Sequence, residues 1–568
     1  MIKHNGPISG VAAFAGRLVA TAGYDNQVIL WDAVGHTPLA RAHHDHLANQ
    51  VAFSPDGTLL VTGSSDYTAR LWSVPDLQLR AVLADHKDDV EMAVFHPEEP
   101  LIATACRDHV VRVFDLSGTL LHRFEGHTAD VISVEWLPAT GELLSSSDDG
   151  TIKRWSPATG GMTADIDLDG VETDTIAITP DGTVYAGNDD GAIIRISGEA
   201  VEHFPAHAAG IKRLVAHAAT GSLVSLSYDR TLRVWDLTEA GPRLRHSAEF
   251  PAEIWARSCA FTGPDTLAFA TFGSTYATYD LSTSTWDLSG VQGTHCVNAV
   301  IRPANGPVLT VGDAGQVWAD GEAAGRPGSL CNFLVDVGGR VLTGGQLGQV
   351  FDAVTGEALH QHHSPLNCGA AFERNGVPHV VFGAYTGEGL VFAVPASGPL
   401  ELVAEIQLHS NAVKGVAVSG TALFAVCADA SASWFDTRTL QQVGRVQEAH
   451  TRIANGCAAL PQGRFASISR DRVLRLWKGT EATALPTPHD HSIKSIAAST
   501  DGTLVATGSY AGTVAVLHTP TGQWTHVTRP TTAGISSLYY DTTDNRFLAS
   551  SYDGNVYPVP AGEDTTGD

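Results

Sequence analysis

Asp229-Arg230-Thr231-Leu232-Arg233-Val234-Trp235-Asp236 places an aspartate six residues before a tryptophan, with Leu232 and Val234 alternating against polar neighbours. Alternation of this kind predicts a half-buried strand, and an aspartate at its start predicts a tight turn leading into it. The same six-residue step joins Asp25 to Trp31, Asp66 to Trp72, Asp149 to Trp155, Asp471 to Trp477 and, with phenylalanine in place of tryptophan, Asp108 to Phe114. Taken as an anchor, the tryptophan position recurs at Trp31, Trp72, Phe114, Trp155, Ile196, Trp235, Tyr279, Ala319, Phe351, Phe392, Phe435, Trp477, Leu517 and Val559. Steps between anchors run from 39 to 44 residues, except 32 from Ala319 to Phe351. A histidine confirms the frame: His44, His86, His127 and His207 each stand 22 residues before the aspartate of their repeat, and His450 stands 21 before Asp471.

Between these landmarks the chain reads as short apolar strands such as Leu59–Gly63, separated by turns such as Ser54-Pro55-Asp56-Gly57. A unit of three or four such strands cannot bury both of its faces alone. Radial stacking of successive units does so. The 57 glycines among 568 residues and the low charged fraction of 17% suit strands and tight turns.

These residues resemble the WD40-repeat family, over roughly residues 4–560, most clearly in repeats 1–4, 6 and 12. The resemblance implies an all-β fold: fourteen repeats closed as two seven-bladed WD40 β-propellers in tandem. The expected domains are 4–289 and 290–560, followed by a disordered acidic tail over 561–568; Ser284–Ser289 supplies the outer strand of blade 7, and Met1–His4 is expected to complete the last blade. It also implies a hydrogen-bonded chain in each blade, here His44, Thr62, Asp66, Trp72; His127, Ser145, Asp149, Trp155; His207, Ser225, Asp229, Trp235; and His450, Ser467, Asp471, Trp477. Repeat 3 has His86, Thr104 and Asp108, and Phe114 breaks its last link. A catalytic triad would occur once, beside an exposed nucleophile, whereas this set repeats with the fold, so no enzyme is expected.

A formal net charge of -26 opposes general binding to nucleic acid or to an anionic membrane surface. No apolar run reaches the length of about 18 residues that a spanning helix needs. The seven cysteines form no CxxC pair and read as buried thiols in a reducing compartment, which places the chain in the cytoplasm. Arginine outnumbers lysine, the balance of a bacterium with a GC-rich genome. The clusters His43-His44-Asp45-His46, His360-Gln361-His362-His363 and His489-Asp490-His491 all fall where the repeat histidine belongs, so neither a metal nor another cofactor is expected.

In the family, partners dock on the top face, through the residue before the turn aspartate and the residues three and five after the histidine. Carried over, these positions include Tyr24, Arg107, Asp148, Asp189, Tyr228, Phe272, Arg470, Tyr510 and Tyr552, and Asp89, Glu91, Asp130, Lys212, Trp255, Arg257, Lys414, Asn455 and Lys494. Blades 6, 7 and 1 then offer Lys212, Tyr228, Trp255, Arg257, Phe272 and Tyr24, rich in the residue types that dominate interfaces. Blades 12–14 offer Arg470, Lys494, Tyr510 and Tyr552, and blades 2–5 present an acidic arc. Repeat 7 carries Gly273 in place of the turn aspartate. Replacing Trp255 and Arg257 is expected to abolish partner binding and leave the melting temperature unchanged.

The function these features imply is a non-enzymatic scaffold for protein or peptide partners, without a small-molecule ligand. The resemblance extends to subunits of larger bacterial assemblies, such as AAA+ ATPase or defence-type systems. The alternative is a propeller enzyme, a metal-dependent hydrolase or lactonase with its site in the central channel.

Overall fold

A computed structural model describes residues 2–198, 200–217, 220–304 and 306–561. It contains thirteen four-stranded sheets and a final three-stranded one, and in every sheet the strands pair antiparallel in chain order. All fourteen anchors fall in the third strand of a sheet, from Trp31 in Gln27–Asp32 to Val559 in Val556–Pro560. The short step between Ala319 and Phe351 has a simple cause: blade 8 has outer strands of two residues each, Trp318–Ala319 and Glu322–Ala323.

Burial follows position in the blade. Second strands such as Leu18–Gly23 are covered on both faces by neighbouring blades and read as unbroken runs of small and apolar residues. Outer strands such as Thr37–His43 alternate exposed and half-buried residues, as an edge with one wetted face must. Of the tail expected to be disordered over 561–568, residues 562–568 lie outside the described residues, while Ala561 is buried against the core of blades 13 and 14.

The chain divides into two compact units, Met1–Thr294 and His295–Asp568, each of seven sheets. The junction falls beyond the expected 289 because residues 290–294 return to blade 7: the Ser274 N–H donates to the Gln292 carbonyl at 2.9 Å, and Gly273 bridges Gly293. That return also accounts for Gly273. A Cβ there would lie 2.5 Å from Val291 Cγ1, so an aspartate does not fit. The lost aspartate therefore marks a crossing of the chain and is no sign of a binding surface.

In the first unit an apolar cluster fills every junction between neighbouring blades, including the closing one, where Ile8, Val11 and Trp31 meet Ala268, Ala270 and Tyr276. The closure of the second ring packs Tyr539 on the apolar cluster of blades 8 and 9 and adds polar bonds. Ser536 Oγ donates to the Val297 carbonyl, Tyr539 Oη donates to the Arg302 carbonyl at 2.7 Å, and Arg302 pairs with Asp541 at 2.7 Å.

The N-terminus does not complete the last blade, whose outer described strand is Val556–Pro560. Residues 2–4 serve the first ring instead. Ile2 packs on the closing apolar cluster, and His4 is the repeat histidine of blade 1, 21 residues before Asp25. Its Nδ1 meets Asp25 at 3.0 Å, its Nε2 meets Thr21 Oγ1 at 2.8 Å, and Trp31 Nε1 donates to the same hydroxyl at 2.8 Å. His4→Ala should lower the stability of the first ring by about 1–3 kcal/mol, the usual cost of stranding buried polar partners. Hydrogen exchange should speed up in Leu18–Gly23 and stay unchanged in Arg546–Ser551; faster exchange in the latter alone would restore the expected pairing.

Candidate functional site

The repeating network forms as the spacing requires. In blade 6, Trp235 Nε1 donates to Ser225 Oγ at 2.8 Å, Ser225 Oγ meets His207 Nε2 at 2.7 Å, and His207 Nδ1 meets Asp229 at 2.9 Å. The donors leave one consistent proton order: indole N–H to hydroxyl, hydroxyl to Nε2, Nδ1–H to carboxylate. Blades 2, 4 and 12 repeat this chain through His44, His127 and His450. Such buried sets, repeated from blade to blade, are structural.

Two of the blades that depart from this rule keep its histidine in an altered setting. In blade 3, Arg112 takes both oxygens of Asp108, at 2.9 and 2.7 Å, and His86 keeps only its Nε2 bond to Thr104, so Nδ1 has no partner. Burial, then the charge of Arg112, pull the His86 imidazole down to about 3. Blade 11 brings His409, Cys427 and Asp429 within 4.8 Å, a grouping with metal-ligand chemistry. Both His409 nitrogens are engaged, by Ser431 Oγ and Ser433 Oγ at 2.9 Å each, and burial holds the Cys427 thiol protonated. The cluster is thus the blade network in altered form.

The site residues expected on blades 6, 7 and 1 do assemble. Trp255 stacks on Phe272 with centroids 5.3 Å apart, meets Tyr24 edge-on at 5.2 Å, and carries the Arg257 guanidinium 5.5 Å from its ring. Next to them, Lys212 lies 5.0 Å from the centroid of Tyr228. Phe272 is buried at 6% exposure, so it supports the patch from beneath and offers little surface itself. Arg257 reaches across the ring from blade 7 to blade 3, pairing with Glu91 at 3.0 Å. Removing Arg257 breaks this link between blades 7 and 3, while Glu91, at 6% exposure, keeps its pair with Arg107 at 2.5 Å.

The acidic arc is likewise partly neutralised. Arg107 sits between Glu91 and Asp130, at 2.5 and 2.6 Å, and Lys212 bridges Asp174 and Asp189. Burial and then the neighbouring Glu172 and Asp130 push the Asp148 carboxyl well up. Sequence reading passed over Asp174 because repeat 5 lacks its histidine; counting back 22 residues from the Ile196 anchor finds it. It also passed over a basic residue four after the turn aspartate, at Arg70, Arg112, Lys153, Arg233 and Arg475.

In the second ring, Arg470, Lys494 and Tyr510 all act electrostatically on Lys414, and the Tyr552 backbone carbonyl accepts the Cys296 thiol at 2.9 Å. Both rings use a bulge in each innermost strand to set the residue at the axial mouth.

A family model described as "WD domain, G-beta repeat" matches residues 1–32, 37–73, 77–115, 118–156, 198–236 and 482–516. The last match covers repeat 13, although repeat 12 forms the fuller network. The chain is similar to the Transcriptional corepressor LEUNIG_HOMOLOG of Arabidopsis thaliana, 24% identical over 39% of this chain and 34% of that protein. It is similar to the Target of rapamycin complex subunit wat1 of Schizosaccharomyces pombe, 26% identical over 38% of this chain and 74% of that one. It is also similar to the Nuclear distribution protein PAC1 of Komagataella phaffii, 31% identical over 28% and 36% respectively. The chain thus spans about a third of the corepressor and of the nuclear distribution protein, and about three quarters of the complex subunit.

Proposed function

We propose that this chain, six segments of which match the WD40 repeat, is a non-enzymatic scaffold whose main partner, a protein or peptide, docks on the top face of the first ring. The observation that carries the reading is the half-buried Tyr24–Trp255–Phe272 stack with Arg257 and the Lys212–Tyr228 pair beside it. Aromatic and arginine side chains held rigid before binding lose little entropy on docking. The names of similar proteins agree in kind: a corepressor, a complex subunit and a nuclear distribution protein. The cross-ring Arg257–Glu91 pair supports the scaffold over a channel enzyme, since it spends charged groups at the mouth on each other. We further place the protein in the cytoplasm of a bacterium, as part of a larger assembly such as an AAA+ ATPase or defence-type system. Seven thiols, five of them buried, suit that compartment.

The test is affinity purification of the tagged chain from its host, with mass spectrometry of what co-purifies, beside Trp255→Ala. This variant should lose at least about 2 kcal/mol of binding, as at a typical interface anchor. Undiminished capture of the partner by a folded Trp255→Ala chain would move the site away from this face.

A further inference from the structure

We propose that the axial mouth of the second ring binds a phosphoryl group between Lys414 and Lys494. This site is separate from the aromatic patch and stands or falls without it.

The bulge residue of each innermost strand in this ring has a recurring duty. Asn298 donates to the Cys331 carbonyl at 3.1 Å, Asn332 to Leu366 at 2.8 Å, Asn367 to Val413 at 2.9 Å and Asn455 to Ile493 at 2.7 Å, while Ser536 donates to Val297. Each bond ties one blade to the next. Two bulge positions depart from the pattern, Lys414 in Val413–Ser419 and Lys494 in Ile493–Ala498. Blade 13 recovers its tie through the adjacent Ser495, which donates to Ile535 at 3.0 Å; blade 11 makes none at this level among the described residues. Lys414 thus displaces a structural bond that is not replaced among the described residues, and Lys494 passes its own to the adjacent serine.

Their ammonium groups also stay unmatched. Among the described residues neither Lys414 nor Lys494 makes an ion pair, while Lys212 at the corresponding position of blade 6 lies between two aspartates. Lys414 rests 4.5 Å from the centroid of Tyr385 on blade 10, a contact that orients the ammonium without neutralising it. Burial, then the positive charge of Lys494 and after it Arg470, draw the Lys414 amine down to about 8. Gathering half-buried like charges at one mouth is unfavourable unless an anion completes the set. A phosphoryl dianion matches two ammonium groups in charge, and tetrahedral oxygens accept from donors on several blades at once.

The experiment is titration calorimetry of the full chain with inorganic phosphate at constant ionic strength, with acetate as the monoanionic control. Wild type should bind phosphate saturably with one site. Lys414→Met and Lys494→Met should each weaken binding at least tenfold, and the double variant should abolish it. Lys414→Arg should retain it within a few fold. The variants should melt in chloride no lower than wild type, since an unmatched charge has gone. A second measurement needs no variant: phosphate should protect Lys414 and Lys494 from amine acylation, read by peptide mass spectrometry. A phosphoserine peptide binding more than tenfold more tightly than phosphate would identify a phosphorylated protein as the source, and equal affinity a free solute; both support the site. Failure of wild type to bind saturably, equal heats from acetate, or unchanged affinity in the double variant would each overturn it.

Discussion

Arg112→Met should destabilise the first ring by about 3–5 kcal/mol, the range seen when one partner of a buried ion pair is removed. Arg112 is fully buried, and besides both oxygens of Asp108 it donates to Asp85 Oδ2 at 3.0 Å and to the Asp85 carbonyl at 2.9 Å. Methionine keeps the length of the side chain and removes the charge, so Asp108 is left ionised at 4% exposure. Adding Asp108→Asn should recover most of the loss, because the cost lies in the uncompensated carboxylate. Urea denaturation would decide it: a loss under about 1 kcal/mol would mean that the pair behaves as an exposed one. Acid provides a check of sign. Burial would raise the Asp108 carboxyl, but hydrogen bonds and charge from Arg112 hold it at about 2. A depressed carboxylate stabilises the fold above its unfolded value of 3.8, and that contribution is lost as pH falls towards 2. Wild type and Arg112→Met should therefore converge between pH 4 and 2.

Asp229→Ala should cost about 2–4 kcal/mol. The carboxylate accepts four donors: His207 Nδ1 at 2.9 Å, the Ala208 N–H at 3.0 Å, the Thr231 N–H at 3.0 Å and Thr231 Oγ1 at 2.6 Å. Alanine strands the Ala208 and Thr231 N–H groups and leaves His207 Nδ1 only the Thr231 hydroxyl at 3.0 Å. The strands Ile211–His217 and Ser222–Ser227 should exchange faster, while the second ring keeps its rates. An unchanged melting temperature would contradict the network as a source of stability. The comparison with blade 3 is informative. There an arginine has taken the aspartate and the histidine survives with one bond, so Asp108→Ala should leave His86 less affected than Asp229→Ala leaves His207.

Two of the departures between expectation and structure share a cause. His4 has the spacing of a repeat histidine, 21 residues before Asp25, yet its place at the chain start suggested a role in closure. Gly273 looked like a sign of function because its repeat lacked an aspartate, and the reason is a segment from 290 onward lying across it. In each case the local pattern was readable, and the error lay in where a segment outside the repeat ran.

What the sequence determined by itself is the blade. Histidine, hydroxyl, aspartate and indole lie within one repeat, at separations of 18, 22 and 10 residues between bonded partners, so antiparallel register alone brings them together. Fourteen anchors at a near-constant step then fix the number of sheets. Tertiary structure alone decided what happens at the mouths of the rings. Arg257 and Glu91 are 166 residues apart, and their pairing depends on seven blades closing with the twist that brings blade 7 opposite blade 3. No repeat period encodes that meeting. The same holds for Lys414 and Lys494: the sequence shows two lysines on a top-face map, but only the ring shows that their neighbours' amides are all engaged and their own charges are not.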